Sequence, residues 1–161
     1  MKSMFLSLLC LGASASTGAT PTATLSPIYG VALPRHYNTW PLIGVAQETG
    51  ALDELRAVVG NNVAMRAYRS GSLPFPDGTV LVKLAWQRKQ SGEFAPAFIP
   101  GSATTVQVMV KNSRRYAATG GWGFGRFIGG RPADKAQHRT CFACHQAHAR
   151  DHDLVFTRLV R

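Results

Sequence analysis

The chain has 161 residues, enough for one domain and too few for several. Lysine and arginine number 18 against 8 aspartate and glutamate, a formal charge of +10, yet no four basic residues are consecutive. Charge scattered in this way argues against a nucleic-acid binder; it reads first as a solubilising surface, and it also suits docking to an acidic redox partner protein or attraction of anions.

In chain order, Lys2, the apolar stretch Met4–Leu11 and Ala13-Ser14-Ala15 form the three-part pattern of a secretory signal peptide, assigned to residues 1–15. The stretch is far shorter than the roughly 20 residues of a spanning helix, and no later run approaches that length, so no membrane span is expected. Export places the mature protein in the periplasm. Cys10 lies inside the apolar stretch and leaves with it; the alternative is lipidation, which the bulky Leu9 disfavours. Thr17 to Pro27 is rich in Ser, Thr, Ala and Pro, and residues 16–33 read as a flexible lead-in. Residues 34–161 then form the folded domain.

Pro41–Ala46 and Leu55–Val59 are apolar runs of strand length. Asn62 is placed to cap a short helix over Val63–Arg69, with Gly71 ending it. Pro74-Phe75-Pro76-Asp77-Gly78 is a turn. Thr79–Trp86 alternates as a strand, with Val80, Val82, Leu84 and Trp86 on one face. Thr79, Leu81, Lys83 and Ala85 share the other, where Lys83 is the one charged side chain. Such a lysine either snorkels to solvent or is buried and loses part of its preference for the charged form.

Val106–Val110 alternates as a second clear strand. A short helix from Asn112 or Ser113 through Ala118 is broken by Gly120-Gly121. Trp122–Ile128 follows as a strand with alternating glycines, which mark either close approach by a flat group or a simple bend. A helix over Cys141–Ala149 and a closing strand over Val155–Val160 complete an α+β, β-rich fold: an antiparallel sheet with a few short helices.

Cys141-Phe142-Ala143-Cys144-His145 is a C-x-x-C-H sequence. Two thiols one helical turn apart reach the two vinyl groups on one edge of a haem, and the next residue brings an imidazole beneath the ring. The pattern thus predicts one covalent haem c, with thioethers at Cys141 and Cys144 and His145 as axial ligand of the iron. Three alternatives stay open: a thioredoxin-like redox pair, a structural disulfide, and a zinc site made of Cys141, Cys144, His148 and His152. A second axial ligand would make a six-coordinate electron carrier, for which Met65, Met109, His36, His138, His148 and His152 are candidates.

Asp77-Gly78-Thr79-Val80-Leu81-Val82-Lys83, Val110-Lys111-Asn112-Ser113-Arg114-Arg115-Tyr116, Gly120-Gly121-Trp122-Gly123-Phe124, the C-x-x-C-H sequence and Asp153-Leu154-Val155-Phe156-Thr157-Arg158 occur in that order. The set resembles the cytochrome P-460 family over roughly Pro34 to Arg158. The resemblance implies a β-rich homodimer whose haem is held by His145. It also implies a strand lysine joined covalently to the macrocycle, which matches Lys83. Namesake members oxidise hydroxylamine, releasing nitrous oxide or nitric oxide and passing electrons onward. The related cytochrome c-prime-beta binds gas in an apolar distal pocket, for which Phe98, Phe124 and Phe127 are candidates here. Efficient members carry a carboxylate on the distal side; Glu93, Asp77 and Asp134 are the possible counterparts.

Overall fold

The computed structural model describes residues 24–160; the expected signal peptide, Cys10 and the start of the lead-in lie outside the described residues. The fold is α+β and β-rich. Six strands form one antiparallel sheet in chain order: β1 (Leu42–Glu48), β2 (Glu54–Gly60), β3 (Val80–Gln90), β4 (Phe98–Lys111), β5 (Trp122–Ile128) and the two-residue β6 (Arg131–Pro132). Helix α1 (Asn62–Ser70) joins β2 to β3, and α2 (Lys135–Ala149) follows the sheet. No described helix is long and apolar enough to cross a membrane.

Local signals account for most boundaries. Asn61, one residue before the expected cap, accepts the Ala64 N–H at 2.9 Å, and Gly71 closes α1 at φ +67°. Helix α2 begins six residues before Cys141 because Asp134 caps it, accepting the Gln137 N–H at 2.8 Å. β3 and β4 run past the expected alternation into a long hairpin, where Arg88 stacks over the Phe98 ring at 3.9 Å.

Register fixes two faces. Lys83 pairs with Val58 on one side and Gln107 on the other, and Gln107 pairs with Arg126. Strand alternation therefore puts Arg56, Val58, Leu81, Lys83, Met109, Gln107, Phe124 and Arg126 on one face. The opposite face is closed by Val59, Val82, Val108 and Phe127 packed against Val31 and Tyr116. Gly123 and Gly125 open onto this closed face. A Cβ at Gly123 would run into the Tyr116 ring, and one at Gly125 into Phe127 and Val31. The alternating glycines thus admit the protein's own side chains.

Three expectations are corrected. The described residues of the lead-in, 24–33, pack on the domain: Ser26 Oγ donates to the Phe124 carbonyl at 3.0 Å, and Val31 is core. The segment after β4 forms only a 3-10 turn, Ala117–Thr119, because Asn112 caps Arg115 at once and Gly120 and Gly121 adopt positive φ. Val155–Val160 is extended without forming a strand; it meets β1 through a single bond from the Val160 N–H to the Ile43 carbonyl, 2.8 Å.

Candidate functional site

Between the charged sheet face, α2 and the C-terminal tail lies a cavity of about 830 Å³. Lys83, Gln107 and Arg126 line it from the sheet, and Cys141, Cys144 and His145 from α2. The tail supplies Val155 to Val160. Gly44 lets the tail lie close to β1, since a Cβ there would come 2.9 Å from the Arg158 carbonyl oxygen. The residues singled out in sequence thus converge on one cavity, although 58 positions separate Lys83 from Cys141.

His145 is oriented by one bond: its Nδ1 lies 2.7 Å from the Leu154 carbonyl oxygen. A carbonyl only accepts, so the proton is on Nδ1 and the lone pair is on Nε2. Burial pushes the His145 pKa down, the Leu154 bond offsets part of this, and the nearby Lys83 charge lowers it further. The neutral, metal-binding form is favoured. The ring is packed between Phe124 and Phe156, with centroids 5.1 and 4.8 Å away.

Lys83 carries the largest electrostatic perturbation on the sheet face. Burial, with help from the Arg56 and Arg126 charges, brings its pKa down to about 8, against a partial offset from Glu54 and Glu48. An appreciable fraction of its amine is neutral and nucleophilic near neutral pH. Burial likewise raises the Cys141 thiol. Cys141 is half-buried, Cys144 is exposed, and both thiols are free.

Around Lys83 runs a charged belt that the sequence did not reveal. Glu54, almost fully buried, accepts two bonds from Arg56 and one from Thr104 at 2.6 Å. Burial pushes the Glu54 carboxyl up, and these hydrogen bonds outweigh it and hold the group below its usual range. Arg56 also pairs with Glu48, the one carboxylate among the described residues lining the cavity. Arg56, Gln107 and Arg126 share the register row of Lys83 or the next, a relation that only strand pairing reveals.

Other candidates sort by position. Of the six possible second axial ligands, only Met109 and His148 line the cavity. Both His138 nitrogens are committed, Nδ1 to the Asp134 carbonyl at 2.8 Å and Nε2 to the Arg126 N–H at 3.0 Å. Met65 is core on α1, and His36 sits in a left-handed turn outside the cavity. His152 packs beside Phe75 and Tyr68, which leaves the zinc alternative short of a ligand. Of the three phenylalanines only Phe124 lines the cavity; Phe127 is on the closed face and Phe98 on the hairpin. Asp77 is held by the Ser113 N–H and hydroxyl, Asp134 caps α2, and Glu93 lies in the exposed hairpin turn.

These residues fit a haem. The volume falls in the roughly 300–1,000 Å³ range of cofactor sites. Both thiols and the free Nε2 of His145 come from one helix at the cavity wall. On the sheet, the Arg126 Nε is buried without a hydrogen-bond partner among the described residues, which leaves a cation on the cavity wall able to meet an anionic group. A family model described as Cytochrome P460 matches residues 34–157. No curated protein matches the chain.

Proposed function

Since this chain belongs to the cytochrome P460 family, whose members carry haem, we propose that it is a periplasmic mono-haem cytochrome that oxidises hydroxylamine or nitric oxide. Cys141 and Cys144 form the thioethers, His145 binds the iron, and Lys83 joins the macrocycle. The observation that carries this reading is the convergence of Lys83 with Cys141, Cys144 and His145 on one cavity. The haem, when bound, supplies the redox centre and the coordination position at which substrate is held. The Leu154 carbonyl keeps the His145 Nδ1 proton in place, so Nε2 stays available. The neutral fraction of Lys83 keeps an amine on the cavity wall, at the residue that the family resemblance would link to the macrocycle. Glu48 is the wall carboxylate placed to take protons from substrate, and Arg56 pairs with it. Electrons leave to a redox partner protein, and the family resemblance supports a homodimer.

A second reading has its own support. Leu52, Val58, Leu81, Met109 and Phe124 give the cavity an apolar wall, and the Glu48 carboxylate is already engaged by Arg56. Both favour a nitric-oxide-binding protein without turnover. Expression with cytochrome-maturation machinery separates the readings. Covalent haem by intact mass, a red-shifted ferrous Soret band that reverts to an ordinary c-type spectrum in Lys83→Ala, and dye reduction with hydroxylamine are expected. Haem without dye reduction selects the gas binder. Colourless protein at the bare polypeptide mass ends both.

A further inference from the structure

Three features of the chain have no part in lining the cavity: Lys111 at the end of β4, the Gly120-Gly121 pair, and Asp153-Leu154 after α2. They meet at one point behind the proximal histidine. Lys111 is 5% exposed, and its Nζ spends all three donors at once. Two go to Asp153, at 2.8 Å to Oδ1 and 2.9 Å to Oδ2, and the third to the Gly120 carbonyl at 3.0 Å. Asp153 Oδ2 accepts a further bond from the Phe75 N–H at 2.8 Å.

The backbone these bonds hold is strained. Asp153 and Leu154 are consecutive non-glycine residues at φ +49° and +65°, a conformation disfavoured by clash between Cβ and the backbone. Strain of this kind persists only where surrounding contacts over-determine it. Here its product is specific: it turns the Leu154 carbonyl toward His145 Nδ1 at 2.7 Å. The glycines make room. A Cβ at Gly120 would meet Leu154 Cδ1 at 2.9 Å, and one at Gly121 would meet Lys111 Cε at 3.2 Å. Both glycines also have positive φ.

We propose that the buried Lys111–Asp153 pair is a positioning device that locks the Asp153-Leu154 turn and thereby sets the hydrogen bond, and so the basicity, of the haem ligand His145. The inference rests on the haem reading above. A carbonyl held against Nδ1–H makes the imidazole a stronger donor to the metal and favours the oxidised iron; slackening the turn does the reverse.

The test uses the haem-loaded protein and its Asp153→Asn and Lys111→Met variants. Asparagine tolerates the left-handed backbone and keeps an oxygen for Phe75, so Asp153→Asn decides the matter if Lys111→Met does not fold. Two readouts are taken: the iron–histidine stretching frequency of the ferrous protein by resonance Raman, and the midpoint potential. Val82→Ala, on the closed face, is the control for loss of stability without contact to the turn. The variants are expected to lower the stretching frequency. They are also expected to raise the reduced-to-oxidised ratio at fixed poise about tenfold, equivalent to about 59 mV for one electron. Val82→Ala is expected to move neither. Wild-type frequency and potential in Asp153→Asn, or an equal shift in Val82→Ala, would overturn the proposal while leaving the haem reading intact. A wild-type protein without haem would sink that reading and this one together.

Discussion

The two faces of the sheet come from the same strands and solve opposite problems. Val82, Val108 and Phe127 on one face are satisfied by apolar contacts from Val31 and Tyr116, so nothing is left over. Lys83, Gln107 and Arg126 occupy alternate positions of those same strands, and their face opens on a cavity. Its cations are costly to bury and incompletely partnered, as the Arg126 Nε shows. The closed face contributes stability. The open face gives some of it up, and that deficit is what a bound cofactor can repay.

The sharpest way to break this comparison is to remove the cofactor's anchors. Cys141→Ala with Cys144→Ala is expected to abolish covalent haem entirely, read as loss of haem colour on the denatured chain in a gel. His145→Ala is expected to retain the thioethers and lose the native spectrum. Retained covalent haem in the double variant would refute the assignment of the open face.

On the closed face, Phe127→Ala is expected to cost about 3–5 kcal/mol in denaturant unfolding, because a fully buried ring leaves a cavity. The haem spectrum should not change. A spectral shift would mean that the two faces are coupled through β5.

Lys83 gives a pH signature of nearly the same size. Its pKa falls from 10.5 to about 8 on folding. The unfolded chain therefore binds the extra proton between those values, and stability rises with pH across that window. Burial of Lys83 costs about 3 kcal/mol below pH 8 and nothing above about pH 10.5. Before haem attachment, the advantage of Lys83→Met over wild type should shrink from pH 8 to pH 10.5. A pH-independent difference would mean that Lys83 reaches solvent.

Arg126→Met is expected to have the smallest effect on the haem-free chain, within about 1 kcal/mol, since it removes a buried group that lacks its full set of partners. The same change should weaken haem retention, measured by the yield of holoprotein. Equal loss of stability with and without haem would assign Arg126 to the fold alone.

Legibility differed along the chain for physical reasons. The β3 alternation exposed Lys83 because period-two patterning is local, and the C-x-x-C-H sequence was complete within five residues. Glu48, Arg56 and Gln107 looked like ordinary surface positions, since their meaning depends on which strands pair and in what register. The distal candidates that lie off the cavity do so for the same reason. His138 reads as a free ligand until β5 is seen donating to it, and Phe127 is three strand positions from Phe124 and so on the opposite face. The closing strand over Val155–Val160 was misread because an apolar extended run has the same pattern whether or not a partner strand lies in register beside it.

Taken by itself, the amino-acid order determined the C-x-x-C-H sequence, the class of fold, the lysine on the wrong-looking face and the family. Each rests on spacing between near neighbours, where chain geometry alone relates one side chain to the next. Only the tertiary structure decided which carboxylate lines the cavity, which nitrogen of His145 is free, and that Lys111 and Asp153 stand behind it. Those facts depend on contacts between residues tens of positions apart, and no local period encodes them.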